Sequence, residues 1–397
     1  MSGMRVGRTI PPAAARLTII DAWRGIAGAF DPRSAIRVFE EDFRREIGVR
    51  HAFSLSSGTA ALMVTLAALK SLSPRREVVM PAFTCYSIAA AVVQAGLTPV
   101  LCDVDSGTFD FDDARLAETV SGRTLCVIAH HLFGVPAAIA RVRVICERHG
   151  AYLVEDAAQA LGIAADGRQL GTLGDAGIFS FGRGKHVTSG SGGMVVTNSG
   201  TIAAAIERQY RAVGAPPCFW QAAEFVKTLL MLAFIHPWLY WIPAALPFLG
   251  LGRTIYPARI VPQRLSGFQA GLLRRWRLRL ARSNDARRDA VSYFSRTLPA
   301  ASPGGEARPY LRFPIVAPDP QSRQRICSLA KKHGLGIVVA YPTPINEIPD
   351  IASVFDGRRF PSAVQLSERL LTLPTHHWLS ERDKRAIVAA CRELVAA

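Results

Sequence analysis

From about residue 50 to 200, short apolar runs alternate with longer stretches whose apolar side chains recur every three to four positions. The short runs lie at 51–55, 77–80, 99–104, 124–129, 151–154, 176–181 and 193–197, and each predicts a strand. Helical patterns sit between them, as at 136–149, and Ile36, Phe39, Phe43 and Ile47 predict an amphipathic helix over 33–47. Strand–helix alternation predicts an α/β fold, a mostly parallel sheet of seven strands between helices. Residues 1–12 read as a loose tail closed by Pro11 and Pro12, and 264–297 as one long Arg-rich helix. The last hundred residues alternate again, with strands predicted at 310–316 and 335–340 and a closing helix over 380–394. The expected division is an N-terminal segment 1–32, a large domain 33–285 and a smaller C-terminal α+β domain 286–397.

Residues 215–262 break this rhythm. From Thr228 to Gly252 no Asp, Glu, Lys or Arg occurs. That length could span a bilayer, but Pro237, Pro243 and Pro247 interrupt it, and a single span would separate the halves of one fold. The segment 219–252 is therefore expected to lie as a kinked hairpin in one leaflet, with Trp238, Tyr240 and Trp241 at the interface. Arg253, Arg259, Arg264, Arg274, Arg275, Arg277, Arg279 and Arg282 follow without an intervening acid, which suits anionic lipid. The alternative is an insert folded back into a subunit interface.

Composition sharpens this. The chain has 397 residues, 49% hydrophobic and 20% charged, enough apolar side chains to exclude a disordered polymer. Lys plus Arg number 47 against 31 Asp plus Glu, a formal charge of +16, which raises polyanion or membrane contact. No zinc-finger, helix-turn-helix or RNA-binding signature is present, so nucleic acid is not expected as a partner. The seven cysteines form no CxxC pair, so neither a disulfide framework nor a metal site is expected. The first twenty residues hold no apolar run of signal-peptide length, and the expected location is the cytoplasm, at the inner face of its membrane.

Three segments carry chemistry. Ser56-Ser57-Gly58-Thr59-Ala60 follows a strand and opens a helix, where free N–H groups and the helix dipole suit a phosphate, or simply cap the helix. Glu155-Asp156 ends the apolar run 151–154, placing a carboxylate at the C-terminal edge of a parallel strand, as a ligand contact or a capping Asp. Lys185 stands in a Gly/Ser-rich loop between two strands, and only Lys70, Lys185, Lys227 and Lys331 occur up to position 331. Unlike Arg, a lysine can give up its proton and form an imine.

Together these segments resemble the DegT/DnrJ/EryC1/StrS family of sugar aminotransferases. The matching pieces run in family order: 39–62, Pro81 to Thr84, 96–105, 131–137, 154–162, 171–185, 191–197, 341–344 and 371–380. The resemblance implies the type I fold of enzymes dependent on pyridoxal 5'-phosphate (PLP), working as a homodimer. It implies that Lys185 holds the cofactor and moves the substrate proton, that Asp156 keeps the pyridine nitrogen protonated, and that Gln159 contacts the ring hydroxyl. Gly58, Thr59 and Ser180 would cradle the phosphate. His131 and His376 match family positions and are read as structural.

Three departures stand out. The aromatic that usually follows the P-x-x-T threonine is Cys85, leaving Tyr86 or Phe83 to stack on the ring. The family's GEGG is Gly190-Ser191-Gly192-Gly193. The segment that sends an Asn across the dimer is Pro262-Gln263-Arg264-Leu265, without that Asn. A sister branch carries His in place of the lysine and removes a hydroxyl; Lys185 argues against it, although His186 is adjacent. The expected activity is amino transfer, from glutamate or glutamine, to a nucleotide- or lipid-linked keto sugar for cell-surface polysaccharide or glycolipid. The rival is a catalytically silent protein of the same fold acting as a membrane-docked scaffold or sensor.

Overall fold

The computed structural model describes residues 6–246, 250, 254–298, 308–355 and 357–395. Seven strands form the main sheet: β1 (His51–Leu55), β2 (Glu77–Pro81), β3 (Thr98–Cys102), β4 (Thr124–His130), β5 (Tyr152–Asp156), β6 (Ala176–Ser180) and β7 (Gly193–Thr197). Their order is β1-β7-β6-β5-β4-β2-β3, and β7 alone runs against its neighbours. Every residue of β4 is buried, as a central strand covered on both faces requires.

The helices follow from local signals. Over α1 (Ile19–Phe30), Thr18 and Asp21 form a reciprocal capping box. In α2 (Pro32–Ile47), Asp31 caps the start, Pro32 fills the first turn, and Gly48 ends the helix at φ 76°. Phe39, Phe43 and Ile47 turn inward. Phe43 packs against Phe179, Phe181 and Trp276 at ring-centroid distances of 5.3, 5.7 and 5.0 Å. Helices α3 (Gly58–Leu72), α4 (Tyr86–Gln94), α5 (Asp113–Thr119), α6 (Ile139–His149) and α7 (Gly200–Ala212) complete the large layer.

The predicted long helix over 264–297 is two helices, α10 (Gly267–Leu272) and α11 (Trp276–Thr297). The break seats Trp276 in the core, where its indole donates to Asp42 at 2.9 Å. Gly28 and Gly25 of α1 pack so closely on α10 that a Cβ at Gly28 would lie 2.4 Å from the Gly267 carbonyl oxygen.

The C-terminal part holds a two-stranded antiparallel sheet, β8 (Arg312–Val316) with β9 (Leu370–Pro374). Helices α12 (Pro320–His333), α13 (Pro361–Arg369) and α14 (Glu381–Val395) surround it. The strand expected at 335–340 is reduced to a single bridge, Val338 to Thr372. Gly336, at φ 69°, turns the chain, and a Cβ there would stand 2.9 Å from the Ile10 carbonyl oxygen. That contact also corrects the loose tail: Ile10 is buried, Ile10 N–H donates to Gly334 O at 2.8 Å, and Arg8 pairs with Asp383. Residues 1–5 lie outside the described residues.

The apolar insertion forms α8 (Cys218–Phe234) and the short α9 (Trp241–Ala244), separated by a turn at Pro237. Among the described residues no helix is long and apolar enough to cross a membrane. Helix α8 packs the half-buried Phe225, Met231 and Leu232 around Leu17, Phe268 and Leu272, and exposes Phe219, Val226, Leu229 and Leu230. Residues 247–249 and 251–253 lie outside the described residues. Arg264 and Arg279 turn to protein carbonyls and Arg277 to Asp42 and Glu46, leaving Arg259, Arg274 and Arg282 exposed.

Candidate active site

The parallel strands bring the motif residues to one edge of the sheet, the edge where open α/β sheets bind ligands. Register places His130, the last residue of β4, beside Asp156, the last residue of β5, which in turn pairs with Ile178 of β6. Gly193 opens β7 between Leu55 of β1 and Ser180 of β6. This juxtaposition brings the turn before α3 against Ser180.

The turn is tightly built. A Cβ at Gly58 would stand 3.0 Å from Ser180 Cβ, and one at Gly193 would stand 2.3 Å from the Ser57 carbonyl oxygen. Only hydrogen fits at Gly193. Ser57 caps α3 by accepting from Ala60 N–H at 3.0 Å, and Gly58 and Thr59 are half-buried at its N-terminus. Gly182 N–H donates to Ser180 Oγ at 3.3 Å. The segment 262–265 lies on the same turn: Gln263 accepts from Ser56 N–H at 2.8 Å through its carbonyl and donates its own N–H to Ser56 Oγ at 3.3 Å.

Lys185 sits on a loop tied at its base, where Phe181 N–H donates to Gly192 O at 2.8 Å and Ser189 N–H to Phe181 O at 3.0 Å. The Lys185 amine makes no hydrogen bond among the described residues. Desolvation holds its pKa below the usual 10.5, against the opposing pull of Cys85 and Asp156. Asp156 is 6% exposed; its Oδ1 accepts from Ala158 N–H at 2.9 Å, and its second oxygen has no partner among the described residues.

Gln159 is held on three sides. Its Oε1 accepts from Phe133 N–H at 3.2 Å, and its Nε2 donates to the Tyr341 hydroxyl at 3.1 Å and to His130 Nε2 at 3.2 Å. His130 Nδ1 then donates to Thr84 Oγ1 at 2.6 Å. Burial pushes the His130 pKa down to about 4, so the ring is neutral. Phe133 holds φ 58°, a left-handed backbone unusual for a bulky residue, at the point Gln159 anchors.

His131 and Glu155 are structural, as expected of His131. His131 Nδ1 accepts from Ala137 N–H at 3.0 Å, so Nε2 donates to Glu155 at 2.9 Å. Glu155 also takes the N–H groups of Gly171, Leu173 and Gly174, fixing the loop before β6. His376 is likewise buried on Pro11 O at 2.8 Å, its pKa pushed down to about 3.

Tyr86 is 5% exposed and its hydroxyl is spent on Thr343: it lies 2.6 Å from Oγ1 and accepts from Thr343 N–H at 2.9 Å. Phe83 is buried against Tyr341 at 5.6 Å. Cys85 is half-buried with Sγ 3.0 Å from Ser87 Oγ. His130, Thr84 and Tyr341 are the site residues sequence reasoning missed. The available signals were a second His before 131–137, the Thr of P-x-x-T and the first residue of 341–344.

The sequence profile of the DegT/DnrJ/EryC1/StrS aminotransferase family matches residues 27–392. The chain belongs to that family. It is 30% identical over 381 residues to the UDP-N-acetyl-3-dehydro-alpha-D-glucosamine 3-aminotransferase of Acidithiobacillus ferrooxidans, covering 93% of this chain and 92% of that one. It is 37% identical to the GDP-perosamine synthase of Vibrio cholerae over 164 residues, 41% of this chain; the match spans 44% of that relative's length. The fold matches Helicobacter pylori PseC, an aminotransferase involved in the biosynthesis of pseudoaminic acid, with TM-score 0.78 at 18% identity over 97% of this chain and 99% of that one.

This aminotransferase family depends on PLP, and the residues present fit that group. The unpaired Lys185 amine, the open oxygen of Asp156 and the cradle that a Cβ at Gly58 or Gly193 would fill are its three requirements.

Proposed function

We propose that the protein is a PLP-dependent aminotransferase passing an amino group from glutamate or glutamine to a keto sugar carried on a nucleotide or lipid, for polysaccharide or glycolipid synthesis. The observation that carries this reading is the desolvated, unpaired Lys185 amine in one site with Asp156. When bound, PLP supplies an electron sink for the carbanion left by proton loss. Lys185, with its pKa lowered, takes and returns that proton. Asp156 holds a proton at the pyridine nitrogen through its free oxygen. The N–H groups at the start of α3, with Ser180 Oγ, bind phosphate. Gln159, locked by Phe133 and Tyr341, would orient the ring hydroxyl, and Tyr86 would flank the ring. The test is to load the protein with PLP, add glutamate to bleach the bound cofactor's visible band, then screen nucleotide- and lipid-linked keto sugars for its return. No return with any keto sugar would favour the silent scaffold.

The division we adopt is a large PLP-binding domain 33–285 and a small domain 286–397. We also place the enzyme in the cytoplasm as a homodimer touching the inner membrane face through 219–252. The exposed Ile19, Ile20, Trp23 and Phe30 of α1 support a subunit contact, and the exposed Phe219, Leu229, Leu230, Trp238 and Leu239 support the membrane one.

A further inference from the structure

Arg312 opens β8, and its Nε and Nη2 are buried with no acceptor among the described residues. The contrast with Arg287 is direct. That buried guanidinium donates to the carbonyls of Leu311 and Ala14 and to the hydroxyls of Thr375 and Ser283. Arg287 is a structural tie; Arg312 is a charged fork without a partner among the described residues. A buried cation with unmet donors costs stability and persists where an anion arrives to meet it.

The chain beside it is tied to the cleft: Leu311 N–H donates to Phe133 O at 2.7 Å, and Phe133 N–H in turn donates to Gln159 Oε1 at 3.2 Å. The Tyr341 phenol is within electrostatic range of Arg312, Asp156 and Cys85, and it accepts from Gln159. The Tyr240 phenol, from the apolar insertion, is within range of both Arg312 and Arg183. Arg183 is exposed and two residues from Lys185. The insertion approaches here by backbone as well: Thr254 Oγ1 donates to Ala340 O at 2.8 Å, next to Tyr341. The two arginines, facing tyrosines and no paired carboxylate, make a site for an oxyanion, which a guanidinium binds through parallel N–H groups.

We propose that Arg312, with Arg183 and the Tyr240 hydroxyl, is the subsite for an oxyanion of the substrate: the carboxylate of the amino-acid donor or the phosphate of the carried sugar. The assignment rests on the aminotransferase reading of the Lys185 site. It makes the insertion part of the substrate site, supplied by the same chain.

The experiment compares the full chain loaded with PLP with its Arg312→Leu and Arg312→Lys variants. Three quantities are read: cofactor loading by visible absorbance, the thermal midpoint without substrate, and binding of glutarate and of UDP by calorimetry. Arg312→Leu is expected to load cofactor normally and to melt no lower than the parent, because an unmet buried charge is gone. It is expected to bind one probe at least tenfold more weakly, with Arg312→Lys intermediate. Loss confined to glutarate assigns the donor carboxylate; loss confined to UDP assigns the sugar carrier. Equal binding of both probes by parent and Arg312→Leu, or their absence from both, overturns the proposal. So does a lower melting temperature with cofactor and probes lost together. A parent chain that takes up no PLP overturns the aminotransferase reading itself, and the subsite with it.

Discussion

Gln159 Nε2 donates to the Tyr341 hydroxyl at 3.1 Å, so a residue of the large sheet's edge is held by one 182 positions later in the chain. The C-terminal part thereby sets the orientation of a side chain proposed to face the cofactor. Tyr341→Phe removes that acceptor while keeping the ring packed on Phe83 and Phe133. The loss of one neutral hydrogen bond, about 1 kcal/mol, predicts roughly fivefold weaker PLP binding with little change in thermal midpoint. A PLP titration with an unchanged dissociation constant would contradict the role given to Tyr341.

Gly193→Ala tests the phosphate cradle. The new Cβ would lie 2.3 Å from the Ser57 carbonyl oxygen, and backbone cannot rotate aside as a side chain can. The turn at 57–58 must shift away from Ser180. The expected outcome is at least about tenfold weaker PLP binding from roughly 1.4 kcal/mol of lost contact, measured by equilibrium titration of the visible band. Wild-type affinity would show that the turn does not hold the phosphate.

Helix α2 reaches the site through Phe43, whose ring packs on Phe179 and Phe181, the two neighbours of Ser180. Phe43→Ala empties the centre of that cluster and should cost about 3–5 kcal/mol of stability. Urea unfolding of the cofactor-free protein checks it, and a loss under about 1 kcal/mol would contradict the packing.

Burial holds His376 down to about 3, against an ordinary value of 6.5. The unfolded chain therefore takes up a proton first as pH falls. The His376 contribution to stability is complete above pH 6.5 and is lost as pH falls from there toward about 3. His376→Gln keeps a donor for the Pro11 carbonyl and removes the titration. The stability difference between pH 7 and pH 5 should shrink in this variant by about 2 kcal/mol. Identical pH slopes for variant and parent, by urea unfolding, would contradict the buried neutral state.

The proposed membrane contact has its own check. Trp238 and Leu239 are 58% and 42% exposed on the turn between α8 and α9. Replacing both with Glu adds two charges to that turn and leaves the core face of α8 intact. Co-sedimentation with vesicles containing phosphatidylserine should fall at least about tenfold, since each carboxylate opposes the anionic surface by roughly 1 kcal/mol. Undiminished sedimentation would remove 219–252 from the membrane and leave a subunit interface as its use.

Much of the sheet and of the candidate site was legible because those signals are local. β-rich runs of four to six residues gave the strands, and each candidate site residue follows such a run at the C-terminal edge. Lys185 stood out because the chain spends its positive charge almost wholly on Arg. What stayed hidden depends on contacts between distant segments. The network of Thr84, His130, Gln159 and Tyr341 joins four separate stretches, and of these only Gln159 was expected at the site. The tail over 6–12 is ordered by Arg8 on Asp383 and Ile10 on Gly334, partners more than 300 positions away. The run 335–340 has strand composition, but Gly336 turns it against Ile10. The insertion's hydropathy described its outer face and missed the inner one, where Phe225, Met231 and Leu232 pack on the protein.

The most direct measurement compares wild type with Lys185→Ala, each loaded with PLP and mixed with glutamate, following the visible absorbance. Wild type should lose the cofactor band and regain it with a keto sugar, while Lys185→Ala should be slower by about 10²–10⁴-fold, the worth of a positioned proton carrier. A Lys185→Ala protein with the same spectrum and the same response to glutamate would contradict the assignment of Lys185, and with it the proposed aminotransferase.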